Sequence, residues 1–112
     1  MSSMQTAKLV SMNPMDLQAR AEEASELLAA MANPKRLMIL CNLLDQERSV
    51  GELSQIVGLA QSPLSQHLSK LRALRLVKAR RSGQSIYYSL ASEEVRKVLT
   101  TLYDIYCRPN EG

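Results

Sequence analysis

This 112-residue sequence predicts a mainly α-helical domain carrying one β-hairpin, and three observations lead there. Apolar residues return at three- and four-residue spacing over most of the chain, the period of a helix with one buried face. Two short runs of period 2 flank a Gly-bearing turn, which is the pattern of a hairpin. The core chemistry agrees: 46% of residues are apolar, yet Phe and Trp are absent and only four Tyr add aromatic bulk, so Leu, Val, Ile, Met and Ala must fill the interior. A chain of this length makes one domain with a single modest core, and it gains from pairing with a second copy.

Met1 to Met15 is polar, irregular and closed by Asn13-Pro14, so a mobile tail is expected at residues 1–15 and one domain at residues 16–112. From Asp16 a helical stripe begins, with Leu17, Ala21, Ala24, Leu27, Leu28 and Met31 on one face and Arg20, Glu22, Glu23 and Glu26 largely opposite. Asn33-Pro34 ends that helix and starts the next, because Asn33 can cap and Pro34 costs nothing at a first helical position. The helix from Pro34 to about Asp45 is apolar around most of its circumference and is expected to be central. Ser49-Val50-Gly51-Glu52 spells a capping box; the short helix behind it turns Leu53, Ile56 and Val57 inward and stops at Gly58. Ser62-Pro63 repeats the start signal and opens a helix to about Leu74, with Leu64, Leu68 and Leu71 as its core stripe.

Val77, Ala79 and Arg81 then alternate with Lys78 and Arg80, Ser82-Gly83-Gln84 turns the chain, and Ile86, Tyr88 and Leu90 alternate with Ser85, Tyr87 and Ser89. A final stripe of Val95, Val98, Leu99, Leu102, Tyr103 and Tyr106 leads to Cys107, and Arg108-Pro109 ends it. Two short helices joined by a Gly-containing turn are a helix-turn-helix, whose second helix enters the DNA major groove. With the hairpin and the last helix, the pattern describes a winged helix-turn-helix.

Charge points the same way. Leu53 to Ser92 contains no Asp or Glu, while Lys70, Arg72, Arg75, Lys78, Arg80 and Arg81 fall within twelve positions. The net +3 therefore joins a +6 segment to flanks of −3. A merely solvated helix face interleaves acids with bases to gain side-chain pairs. A field of one sign suits a phosphate backbone, so double-stranded DNA is the expected partner. The non-core residues of the second helix, Gln61, Ser62, Ser65, Gln66, His67, Ser69, Lys70 and Arg72, are the candidates for groove contact. Gln pairs bidentately with adenine, Ser serves several bases, and Lys and Arg read guanine or neutralise phosphate. His67 reads equally as a base reader or a packed histidine. At the hairpin tip, Arg80, Arg81 and Gln84 are placed to reach phosphate or a narrow minor groove. The alternative is a basic turn that keeps an edge strand soluble.

The segments Asn33-Pro34-Lys35-Arg36-Leu37-Met38-Ile39-Leu40, Gln61 to Arg72, Arg80-Arg81-Ser82-Gly83-Gln84 and Tyr87-Tyr88-Ser89-Leu90 together resemble the ArsR-type bacterial repressors, over roughly Leu17 to Cys107. That resemblance implies a homodimeric repressor, paired through its first and last helices, that leaves operator DNA when an inducer binds. Members usually carry Gly before the Leu-Val that opens the wing; Arg75 stands there in this chain. The metal-sensing patterns are absent: Ser49-Val50-Gly51-Glu52-Leu53 has no Cys-x-Cys, and the last helix has no His. Cys41 and Cys107 instead resemble the pair of the persulfide-sensing BigR/SqrR-like branch, in which reactive sulfur species bridge these two positions. That branch implies control of sulfide detoxification genes. Free Cys is also a common small buried hydrophobe, a reading that suits Cys41 better than Cys107.

Other classes recede. A closed metal site takes about four ligands, and one subunit offers two thiols and one His, so neither a metal nor another cofactor is expected. No paired acids, Cys–His arrangement or phosphate-binding Gly loop supports an enzyme. No apolar run approaches the roughly twenty residues of a bilayer span, so a cytoplasmic protein without a membrane partner is expected. Within the same fold, sensing of thiol oxidation or of a thiophilic metalloid such as arsenite, or a DNA-binding dimer with passive cysteines, are the alternatives.

Overall fold

A computed structural model of the chain describes residues 13–107. The expected tail over residues 1–12 and the stop at Arg108-Pro109 lie outside the described residues. In order, the elements are α1 (Pro14–Ala19), α2 (Ala21–Met31), α3 (Pro34–Cys41), β1 (Arg48–Ser49), α4 (Val50–Val57), α5 (Gln61–Ala73), β2 (Val77–Ser82), β3 (Ser85–Leu90) and α6 (Glu93–Tyr106). This is the winged helix-turn-helix: α4 and α5 form the helix-turn-helix, and β2 and β3 form the wing.

The N-terminal region departs from expectation twice. Asn13 accepts a hydrogen bond from the Met15 N–H at 2.9 Å and Pro14 takes the first helical position, so residues 13–15 open a helix and are not tail. The single helix expected from Asp16 is divided at Arg20 (φ −112°, ψ 19°), whose N–H reaches back three residues to the Leu17 carbonyl. α3 is shorter than expected. It ends at Cys41 and tightens, with Leu43 N–H on Leu40 O and Leu44 N–H on Cys41 O, turns that still bury Leu43. It is not covered all round either: Ile39 and Leu40 are buried, whereas Met38 and Cys41 are exposed.

Both halves of the capping box of α4 are made, Glu52 N–H to Ser49 Oγ at 3.1 Å and Ser49 N–H to Glu52 Oε1 at 2.8 Å. Leu53 and Val57 face the core at four-residue spacing; Ile56, one residue from that stripe, points outward. Gly58 stops the helix at φ +68°, a left-handed conformation that Gly adopts without a Cβ penalty. α5 starts earlier than the Ser62-Pro63 signal suggests. Ala60 precedes it without a side-chain cap, and Pro63 is its third residue, still within the first turn where N–H groups lack intrahelical partners. Leu64, Leu68 and Leu71 are buried as the stripe requires.

α5 ends in a Schellman motif: Leu76 N–H bonds Leu71 O and Arg75 N–H bonds Arg72 O, both at 2.9 Å. Arg75 sits at φ +62°, so the stop usual for Gly is kept by an arginine in the left-handed region. β2 and β3 pair antiparallel from Val77↔Leu90 to Ser82↔Ser85 around Gly83 at φ +62°. A two-residue strand missed in the sequence, β1, adds Arg48↔Tyr88 and Ser49↔Tyr87, giving the sheet order β1-β3-β2. The core joins α3, α4, α5 and α6 through Ile39, Leu40, Leu53, Val57, Leu64, Leu68, Leu71, Val95 and Leu99. Part of the first and last apolar stripes stays uncovered: Leu17, Leu28, Tyr103 and Tyr106 are exposed, and so are Met15 and Ile105 outside those stripes. No helix of the described residues is long and apolar enough to cross a membrane.

Candidate nucleic-acid interface and thiol groove

Burial of Leu64, Leu68 and Leu71 turns the rest of α5 outward. Gln61, Ser62, Ser65, Gln66, Ser69, Lys70 and Arg72 are all exposed and share a helix without an acid. His67 differs from them. It is half-buried, and burial, then the charges of Arg36 and Lys70, push its imidazole below the ordinary histidine range. Part of the ring stays accessible, so His67 is set apart from its neighbours by its partial burial alone.

Two α3 residues to which the sequence assigned no role, Lys35 and Arg36, tie α3 to α4 and to α2. Asn33 Oδ1 accepts from the N–H groups of Lys35 and Arg36, both at 3.0 Å. Lys35 Nζ then donates to the Val57 carbonyl at 2.7 Å, at the C-terminus of α4. Arg36 Nε donates to the Ala30 carbonyl at 2.6 Å, near the end of α2. Each cation satisfies carbonyls that the neighbouring helix leaves unpaired, where the helix dipole favours positive charge. The signal was two consecutive cations after a cap in an otherwise apolar helix.

The cations of the wing differ in their partners. Arg81 and Gln84 are exposed at its tip. Arg80, expected to reach DNA, is engaged within the protein: Nη2 lies 2.5 Å from Glu47 Oε1, Nε lies 3.3 Å from Glu47 Oε2, and the guanidinium stands 4.9 Å from the Tyr87 ring centre. The acid-free run ends short of Glu47, and folding brings that carboxylate to the wing.

Cys41 and Cys107, 66 positions apart, line one groove of about 640 Å³ between α3 and α6. Leu37, Leu44, Leu99, Leu102, Tyr103 and Tyr106 make its walls largely apolar, and Arg48 and Asp45 stand at its polar side. Both thiols are free and exposed. Burial against the groove wall raises the Cys41 thiol above its ordinary range, and the nearby Cys107 thiolate raises it further. Neither cysteine is therefore the fully buried hydrophobe of the alternative reading. Two arginine side chains brace the loop that follows α3, beside the groove. Arg96 of α6 donates to the Leu44 carbonyl at 2.6 Å, and Arg48 Nε donates to the Asn42 carbonyl at 2.6 Å. Among the described residues no group of three or more His, Cys, Asp or Glu is arranged to hold a metal ion.

A winged helix-turn-helix with a basic, acid-free reading helix defines a DNA-binding transcription regulator. Comparison with known proteins gives the family. Residues 33–79 match the model of the bacterial regulatory protein, arsR family. The nodulation protein NolR of Rhizobium meliloti is 59% identical over 86 residues, 77% of this chain and 70% of that protein. The transcriptional activator HlyU of Vibrio cholerae is 47% identical over 100 residues, 89% of this chain and 93% of that protein. The crystal structure of the transcriptional repressor BigR from Xylella fastidiosa aligns with a TM-score of 0.82 at 39% identity, over 88% of this chain and 100% of that one. The chain belongs to the ArsR family; it is a transcription regulator and not an enzyme.

Proposed function

We propose that the protein is a homodimeric operator-binding repressor that releases DNA when reactive sulfur species link Cys41 to Cys107 within one subunit. The observation that carries this reading is the placement of two free thiols, 66 positions apart, on the walls of one apolar groove. The uncovered faces at Leu17 and Leu28 and at Tyr103, Ile105 and Tyr106 support pairing through the first and last helices. Twofold symmetry would set two α5 helices about 34 Å apart, one turn of DNA. Ser65 and Gln66 then read bases, while Lys70, Arg72 and Arg81 hold phosphates.

The chemistry follows from the thiols. Burial disfavours the Cys41 thiolate, and Cys107, at the C-terminal end of α6, is taken as the first nucleophile. Its thiolate attacks the outer sulfur of a persulfide RSSH, expelling RS⁻ and leaving a Cys107 persulfide. That persulfide attacks the inner sulfur of a second RSSH and expels HS⁻, and the Cys41 thiolate then attacks the inserted sulfur and expels RS⁻. In total two thiols and two RSSH give one Cys–S–S–S–Cys link, two RSH and H₂S. The second persulfide is the oxidant. Each inserted sulfur lengthens the link by about 2 Å.

Linkage would strain the loop between α3 and β1. That loop is anchored to α6 by Arg96 and continues into β1, which pairs with the wing, and into α4. A change there alters the angle between paired recognition helices, and a misplaced half-site loses base contacts while keeping phosphate attraction. Intact mass after treatment with glutathione persulfide, peroxide or arsenite tests the reading. A bridged subunit is expected after persulfide alone, gaining about 32 Da per inserted sulfur less about 2 Da for the two thiol hydrogens lost on bridging, taking sulfur transfer as the chemistry. A bare disulfide from peroxide, an arsenic adduct or unchanged mass would move the protein to the alternative sensors or to passive cysteines.

A further inference from the structure

We propose that Glu47 acts as an internal stand-in for a DNA phosphate, holding Arg80 out of the interface so that Arg81 is the arginine through which the wing contacts DNA. The inference rests on the DNA-binding role of the fold and not on the thiol chemistry. Three observations carry it. The Glu47 carboxylate meets the Arg80 guanidinium through two bonds, at 2.5 and 3.3 Å, the forked geometry with which Arg takes a phosphate. The Tyr87 ring, 4.9 Å away, closes the other side of the guanidinium and fixes its plane. And Glu47 comes from the turn before β1, 33 residues away, bringing a negative charge to a wing that has none of its own. Lys78 on β2 also acts on Glu47, lowering its carboxyl further below the ordinary range after the Arg80 bond and charge.

An exposed ion pair contributes little to stability. Its consequence here is electrostatic: Arg80 is neutralised before DNA arrives, which lowers the sequence-independent part of the affinity and leaves more weight on the base-reading residues of α5. Glu47 is thus a specificity-determining residue that touches no DNA.

The test is the salt dependence of binding to a random-sequence duplex, measured for the wild type, Glu47→Gln, Arg80→Ala and the double variant. Freeing Arg80 adds one phosphate contact per protomer. It steepens the log–log salt slope by about 0.9, so that raising salt fourfold costs about 3.5-fold more affinity per protomer than in the wild type. Arg80→Ala alone should leave the slope unchanged, and in that background Glu47→Gln should leave it unchanged too, because no phosphate contact is added. The proposal is overturned if Arg80→Ala flattens the slope by about 0.9, because Arg80 then holds phosphate in the wild type. It is equally overturned if the steeper slope of Glu47→Gln persists without Arg80, which would make it a general field effect acting through Lys78. Thermal unfolding of each variant separates either outcome from misfolding. Loss of all binding by the wild type would instead indict the DNA-binding role itself.

Discussion

Arg75→Gly should make the protein more stable, although it removes a side chain from the surface. Arg75 holds φ +62° at the end of α5, where its N–H and that of Leu76 close the Schellman motif. An L-residue in the left-handed region costs about 1–2 kcal/mol from the approach of Cβ to the backbone carbonyl. Gly escapes that cost but surrenders about 0.5–1 kcal/mol more chain entropy on folding. The difference leaves a net gain of about 0.5–1 kcal/mol, or about 2–8 °C in Tm for a domain near 100 residues. Urea denaturation at a fixed protomer concentration is the assay, because dimerisation would otherwise shift the midpoint. The midpoint should rise with an unchanged slope. Gly58→Ala, at φ +68°, should move the other way. A fall for Arg75→Gly would refute the reasoning. It would mean that the Arg75 side chain, which shares a surface cleft with Glu23, Glu26 and Glu94, returns more than the strained backbone costs.

Other consequences follow from the site. Lys70→Ala and Arg81→Ala should each flatten the salt slope by about 0.9 on operator and random DNA alike, whereas Gln66→Ala should keep the slope and cost about 1–3 kcal/mol of discrimination between them; equal effects on discrimination would undo that division of roles. Cys41 should alkylate along a pH profile with a midpoint above that of an ordinary thiol, because burial and then Cys107 disfavour its charge; a midpoint at or below the ordinary value would contradict the groove as described. His67 titrates below its unfolded value, so the folded state binds fewer protons, and stability should fall as pH drops from about 6.5 through the lower folded pKa. His67→Gln should remove that part of the pH dependence, and urea midpoints across the range would show it.

The helix-turn-helix was legible because its signals are local. The Ser49–Glu52 capping box, Gly58 and the Leu64, Leu68 and Leu71 stripe each act within a few residues. The same kind of signal misled where it has two meanings. Pro fits any first-turn position, so Ser62-Pro63 marks a helix that begins at Gln61, and Asn13-Pro14 reads as the end of a tail while capping a helix. β1 is two residues long and has no period to detect. The site was legible in its residue types and less so in its contacts. Arg80 and Glu47 lie 33 positions apart, so the sequence shows a basic wing tip and hides its neutralisation. Cys41 and Cys107 are paired in the sequence by resemblance alone; folding α3 beside α6 puts both on one groove, which residue spacing does not reveal.

The central claim is that a link between Cys41 and Cys107 is the switch. Its most direct test is the operator affinity of the bridged, mass-verified protein against the reduced protein, with Cys41→Ser and Cys107→Ser alongside. The account predicts that the bridged form falls by a few kcal/mol towards its affinity for random DNA, while either Ser variant binds operator like the reduced wild type and no longer responds to persulfide. Equal operator affinity of the bridged and reduced forms would contradict it.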